Sequence, residues 1–495
     1  MIKAAREPDL TAKHAGFPYQ AEAFLATKDL PFAAVFHEQG LGKTKIGIDL
    51  ALYWIQSKAV DSVIIVTKRG LIQNWIDELQ YHTHVVPRLI SQDRKANFLA
   101  FNSPARIYIT HYEVLTSEQS RLELFSQTRV LGIILDESHK IKNPTTAISR
   151  SLFRLSRHFV KRVIMTGTPV ANRPYDLWSQ IFFLDQGAAL GTDFETFRKQ
   201  LDLTNDLARD DEKAHLFEQA LARVFGLIRI FTVRETKQGA DIQLPQKNYN
   251  TVTVEMEPRQ AEIYTQYKRE FASILLQSGK PVLDEAEDSL KRLLRLVQVA
   301  SNPRLIDDSY RETPAKMYVL RNLVDEIVDR GEKVIIWTSF TANVDWLARE
   351  FRTYGAVRIH GKLSYEQRTA SVKAFKMDPD CGVLIATPAS AKEGLTLTVA
   401  NNAVFYDRSF SLDDYLQAQD RIHRISQAKD CTITILKAEG TIDDWIERLL
   451  AAKTLAAQLA QGDISIELYQ QKSEYSFGDM IKDVLGIITE EHGTN

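Results

Sequence analysis

Twice along this chain, short apolar runs rich in branched residues alternate with helical patterns. The first series covers residues 32–36, 62–67, 107–110, 130–135 and 162–165. The second covers 333–338, 356–360, 382–387, 403–407 and 431–436. Runs of this length without polar alternation read as strands buried on both faces. The segments between them carry helical spacing, as in residues 45–55, where Ile48, Leu52 and Ile55 recur on one side. Strands separated by helices need right-handed crossovers, and these build mostly parallel sheets. The pattern therefore predicts an α/β chain with two parallel-sheet lobes. Residues 174–233 and 258–302 read as mostly helical, and 441–462 as an amphipathic helix. A chain of 495 residues exceeds one core. The expected divisions are 1–173 (first lobe), 174–312 (helical protrusions and linker), 313–440 (second lobe) and 441–495 (helical brace and tail).

Bulk chemistry narrows the class only by exclusion. No run approaches the roughly 20 apolar residues that a membrane helix needs, and residues 1–10 lack the apolar core of a secretory signal. Cys381 and Cys431 stand alone, without a CxxC pair or a histidine cluster, which argues against a disulfide framework or a zinc site. A reduced, cytoplasmic setting without a membrane partner is expected. The formal net charge is −2, so any contact with nucleic acid must come from local basic patches.

The first strand run leads into His37-Glu38-Gln39-Gly40-Leu41-Gly42-Lys43-Thr44, and a helical pattern follows. Glycines allow a tight turn and let backbone N–H groups approach phosphate oxygens, while the helix N-terminus adds its positive end. Lys43 is placed to reach the β- and γ-phosphates of ATP, and the Thr44 hydroxyl to ligate Mg²⁺. A full GxxxxGK[ST] pattern needs glycine at position 37, where this chain has His37. The run 130–135 ends in Asp136-Glu137-Ser138-His139. A carboxylate at the C-terminal end of a parallel strand points into the crevice where such sheets bind ligands. Asp136 is expected to hold Mg²⁺ through its water shell and Glu137 to polarise the attacking water. Upstream, Tyr19 and Gln20 stand where an adenine clamp could form; an amide both donates and accepts, although a surface glutamine is the blander reading.

Together, Tyr19-Gln20, Gly40-Leu41-Gly42-Lys43-Thr44, Asp136-Glu137-Ser138-His139 and Thr166-Gly167-Thr168-Pro169 resemble, in order, the motifs of superfamily 2 helicase motors. Gln417-Ala418-Gln419-Asp420-Arg421-Ile422-His423-Arg424-Ile425-Ser426-Gln427 resembles the last motif of the Swi/Snf-like DNA translocases within it. Leu71, Asn74, Trp75 and Glu78 match too, as do Lys142-Asn143, Asn172 and Leu177-Trp178. The resemblance runs from Phe17 to Asp463. It implies two RecA-like lobes with helical insertions between them and a C-terminal brace. It also implies ATP held between the lobes by Gly40, Gly42, Lys43, Thr44, Gly394 and Gln417, with Arg421 and Arg424 supplied to the γ-phosphate as arginine fingers. The two arginines are three apart and share a face if the segment is helical. Ala391-Lys392 replaces the paired glycines usual before Gly394, which should narrow the φ/ψ range of that loop.

A motor needs a grip that ignores sequence, and the natural target is the phosphate backbone. Candidate contacts follow expected strands: Lys68, Arg69, His111 and Lys142 in the first lobe, and Ser339, Lys362 and Lys392 in the second. Arg150, Arg154 and Arg157 form a further basic stripe, as do Lys291, Arg292 and Arg295; either is equally a solvated helix face. The expected activity is nucleic-acid-stimulated ATP hydrolysis by a monomeric motor on double-stranded DNA, remodelling DNA or DNA–protein complexes. A strand-separating DNA or RNA helicase and a non-travelling, nucleotide-regulated DNA scaffold are the alternatives.

Overall fold

The computed structural model describes residues 8–170, 174–201, 211–240, 244–278, 286–391, 396–424, 426–461, 463–464 and 468–469. The chain separates into two compact units. The first comprises Met1–Leu203 and Glu212–Gln243; the second comprises Thr204–Asp211 and Leu244–Asn495.

In the first unit the strands are β1 (Phe32–Val35), β2 (Ser62–Thr67), β3 (Arg88–Leu89), β4 (Ile107–His111), β5 (Leu131–Asp136), β6 (Phe159–Met165) and β7 (Thr232–Val233). They form one sheet in the order β3-β4-β2-β5-β6-β1-β7, and every pairing is parallel. Helices cross between consecutive strands, among them Lys43–Gln56, Ile72–His82 and Ala147–Ser156. Val63, Ile65, Ile107, Ile109 and Ile134 join Ile46, Leu50, Trp54 and Trp75 in one apolar cluster. Because helices cover the sheet, β2, β4 and β5 are buried along their whole length, and their sequences show no polar alternation.

The second unit repeats the plan with β8 (Lys247–Val254), β9 (Val334–Trp337), β10 (Val357–Ile359), β11 (Val383–Ala386), β12 (Asn402–Phe405) and β13 (Cys431–Ala438). The order is β10-β11-β9-β12-β13-β8, again all parallel. Alternate residues of β9, β11 and β12 feed two separate cores. Ile335, Trp337, Leu384, Ala386, Ala403 and Phe405 lie on one face. Val334, Ile336, Val383, Ile385 and Val404 lie on the other. Helices Pro258–Ser278, Ala286–Ser301 and Ile442–Ala460 share a third apolar cluster through Ile263, Leu296, Trp445, Ile446 and Leu449. Both cysteines are buried in this unit.

The ten strand runs read from the sequence correspond to observed strands, within two residues at each end except that β6 begins three residues earlier, at Phe159. The strands that sequence reasoning missed, β3, β7 and β8, all lie at sheet edges. β8 pairs with β13 over its full length, yet its sequence Lys-Asn-Tyr-Asn-Thr-Val-Thr-Val is mostly exposed and carries little apolar signal. No helix among the described residues is long and apolar enough to cross a membrane.

Candidate functional site

Parallel strands place their C-terminal ends on one side of the sheet. In the row β4-β2-β5-β6-β1, those ends carry His111, Thr67-Lys68, Asp136-Glu137, Thr166-Gly167 and the glycine loop, side by side. Gly40 and Gly42 adopt φ of 88° and 66°, the left-handed region that a side chain disfavours. A Cβ at Gly42 would also stand 2.4 Å from Gln20 Nε2. The helix Lys43–Gln56 begins directly after Gly42, so its unpaired N–H groups open toward the loop. Lys43 is buried and donates to the carbonyls of His37 and Glu38 at 3.0 and 3.2 Å. Gly167 closes on the loop from β6: a Cβ there would come within 2.4 Å of Gln39 Cγ and 3.2 Å of Lys43 Nζ.

Asp136 is held from several directions. Its Oδ2 accepts from Trp75 Nε1 at 2.8 Å and from Thr67 Oγ1 at 3.1 Å, and its Oδ1 accepts from the Glu137 amide at 3.0 Å. Tyr112 donates its hydroxyl to the Asp136 carbonyl at 2.7 Å. Burial, reinforced by the Glu137 charge, raises the affinity of Asp136 for a proton. Burial also opposes charge on Glu137, but Lys68, His139 and Lys43 outweigh it and keep that carboxyl ionised. Glu137 has φ of 55°, unusual for a residue with a side chain and a form of local strain found at functional turns. Ser138 donates to Gln180 Oε1, whose Nε2 donates in turn to the Pro169 carbonyl, both at 2.8 Å, so the turn after β5 is tied to the turn after β6.

Gln20 is buried, and both ends of its amide engage the chain itself. Oε1 accepts from the Phe17 amide at 2.9 Å, and Nε2 donates to the Leu41 carbonyl at 3.0 Å. Tyr19 donates to the same carbonyl at 3.2 Å. Gln20 thus anchors the glycine loop. Thr44 is half-buried in the first helical turn.

The expected nucleic-acid contacts divide. Arg69 and Lys362 are exposed, as are Arg150, Arg154 and Arg157 along one helix face. His111 is buried and lies 2.8 Å from Glu113 Oε2 through Nδ1. Lys142 pairs with Asp176 at 3.5 Å, and the Lys68 ammonium lies 2.9 Å from His139 Nε2. Ser339 is half-buried; its amide donates to Asp407 Oδ1 at 2.6 Å. Lys392, Gly394 and Asn172 fall outside the described residues.

In the second unit, the segment that carries Arg421 and Arg424 is not helical, so the condition for a shared helix face is not met. The helix Leu412–Gln419 stops before them and a series of turns follows, because Ile422 and Gln427 are drawn into the core, with Gln427 Nε2 donating to the Ala400 and Ile422 carbonyls. Arg421 is only 2% exposed. Arg424 is half-exposed and donates to the Asp420 carbonyl at 2.7 Å and to Thr396 Oγ1 at 3.0 Å. Gln417 is buried and donates to Asp413 at 2.7 Å. Sequence reasoning assigned no role to Asp407, which ends an apolar strand run just as Asp136 does. It is 1% exposed, and its Oδ2 accepts from Ser301 and Thr338 at 2.7 and 2.5 Å. An acid closing a buried parallel strand was the signal that could have found it.

Comparison with known proteins matches residues 33–305 to the SNF2-related domain. The chain belongs to the SNF2-related family. Residues 315–426 of this SNF2-related chain match the helicase conserved C-terminal domain. It is similar to a probable chromatin-remodeling complex ATPase chain of Oryza sativa subsp. japonica, at 27% identity over 86% of this chain and 38% of that protein. It is also similar to the lymphoid-specific helicase of Homo sapiens, at 23% identity over 84% of this chain and 59% of the relative. The SNF2-related chain therefore spans only about two fifths to three fifths of the length of these relatives. A solved structure titled "Sulfolobus solfataricus SWI2/SNF2 ATPase core in complex with dsDNA" shares 24% identity over 95% of this chain and 99% of that one, with a TM-score of 0.41.

Proposed function

We propose that this SNF2-related chain couples ATP hydrolysis to movement along double-stranded DNA, as a single-chain motor that remodels DNA or DNA–protein complexes. The observation that carries the reading is the convergence in the first unit: a left-handed glycine loop bearing Lys43 after β1, an acidic pair at the end of β5, two strands away, and between them, after β6, Gly167 pressed against both Lys43 and Gln39. The names of the chromatin-remodeling relatives support DNA as the track.

The residues fit a triphosphate and its cation. Loop N–H groups and Lys43 suit phosphate oxygens, and Thr44 and Asp136 offer the hard oxygen donors that Mg²⁺ takes, directly or through water. Thr44 and Asp136 would hold the Mg²⁺, which would supply neutralisation of the phosphate charge. Lys43 exchanges its contacts with His37 and Glu38 for the phosphates. Glu137, kept ionised by the Lys68 and Lys43 charges and the His139 N–H, orients the attacking water and accepts its proton. The resemblance supports Arg421 and Arg424 as further cations for the hydrolysis step, where a group of this kind is worth on the order of 10³ to 10⁵ in rate.

The deciding experiment compares ATP turnover with duplex DNA, single-stranded DNA and RNA. Duplex is expected to stimulate most; stimulation by RNA alone overturns the track assignment. Displacement of a third strand from duplex DNA, dependent on hydrolysis, tests for travel.

A further inference from the structure

The strand end of β2 carries Lys68, and its Nζ lies 2.9 Å from His139 Nε2. The other ring nitrogen, His139 Nδ1, lies 3.2 Å from Thr166 Oγ1 and 3.2 Å from Glu137 Oε2. These contacts fix the tautomer. An ammonium group has N–H donors and no lone pair. His139 Nε2 must therefore accept, and the ring proton resides on Nδ1. From there it donates toward Thr166 Oγ1 and presents a positive edge to the Glu137 carboxylate. The opposite tautomer sets an N–H against the ammonium and a lone pair against the carboxylate, which is unfavourable at both ends.

We propose that Lys68 is a positioning residue for hydrolysis: it holds His139 as an Nδ1–H donor, and His139 in turn keeps the Glu137 carboxylate and the Thr166 turn in register. The inference rests on the reading of Glu137 as the group that handles the attacking water. It gives Lys68 a task inside the first unit, in place of a solvent-facing phosphate contact. The three elements joined are the ends of β2, β5 and β6, which sit next to one another in the sheet. The Thr166 hydroxyl already joins the turn, because its Oγ1 accepts from the Thr168 amide at 3.1 Å. A ring nitrogen on that same oxygen therefore ties the Thr166-Gly167-Thr168 turn to the acidic pair.

The test uses the 495-residue chain with ¹⁵N-labelled histidine. Long-range ¹H–¹⁵N spectra report which ring nitrogen is protonated, and His139→Gln identifies the resonance. Wild type should show the Nδ1–H form at this position. Lys68→Met, which keeps the stem and removes the charge, should shift it toward the Nε2–H form. The same variant should lower kcat for Mg²⁺–ATP, measured without nucleic acid, on the order of 10- to 100-fold, the usual scale for a lost orienting partner, while KM for ATP stays within about threefold. Lys68→Arg, which retains a donor, should recover most of the rate even if the methionine variant folds poorly. A wild-type tautomer and wild-type kcat in Lys68→Met, with a change only in duplex affinity, overturn the proposal. Lys43→Ala separates the two levels. If it also turns over ATP normally, the underlying site reading has failed; if it is inactive while Lys68→Met is normal, only the present inference has.

Discussion

Replacing Lys43 by alanine removes an ammonium that donates to the loop carbonyls of His37 and Glu38 and whose charge acts on Asp136 and Glu137, and Glu137→Gln removes the carboxylate charge with little change in volume. Each variant should lose at least a hundredfold in ATP turnover, the lower range for a positioned acid or base, in a phosphate-release assay with duplex DNA. Arg424→Ala should keep nucleotide binding, measured with a fluorescent ATP analogue, while losing hydrolysis. His37 gives a separate test. Burial, followed by the Lys43 charge, pushes its pKa down from 6.5 to about 4. The folded state therefore holds it neutral, and the unfolded state binds its proton first as pH falls. Stability should drop between about pH 6.5 and 4, by up to roughly 3 kcal/mol from this residue. His37→Gln should flatten the pH dependence of the urea midpoint. The loop and the acidic pair were readable from sequence because their residue types follow their strands directly. The donors around Asp136 were not: Trp75 lies 61 residues and Thr67 lies 69 residues from it, and only the sheet order brings them together.

Elements explain why the alternation of strands and helices was legible and its margins were not. Interior strands such as β2, β5, β9 and β11 are covered on both faces, so their sequences are continuous apolar runs. The edge strand β8 is exposed along most of its length and reads as a polar link. Residue spacing left open whether the segment carrying Arg421 and Arg424 is helical, because spacing cannot see Gln427 anchoring to the Ala400 and Ile422 carbonyls. A buried pair holds the C-terminal helix to the second sheet. Lys316, fully buried, meets Asp443 at 2.6 Å and the Tyr406 carbonyl at 3.2 Å. Asp443 also accepts from the Ala438 amide at 2.9 Å. Lys316→Met leaves a buried carboxylate without its cation and should cost about 3 to 5 kcal/mol, read from chemical unfolding. The double change Lys316→Met with Asp443→Asn should recover part of that loss.

At the scale of the whole molecule, each unit has its own sheet and its own apolar clusters. Such chains need not unfold in a single step. Calorimetry should resolve two transitions, and Mg²⁺–ATP should raise the one belonging to the first unit, by about 2.7 kcal/mol at a hundred times Kd. Lys43→Ala should abolish that rise. Cys381 and Cys431 make the assignment possible. They are the chain's only cysteines, 2% and 0% exposed, and both belong to the second unit. A maleimide dye thus acts as a stopwatch for that half alone: silent while its interior stays shut, blind to melting elsewhere, and able to say which part of the protein lets go first.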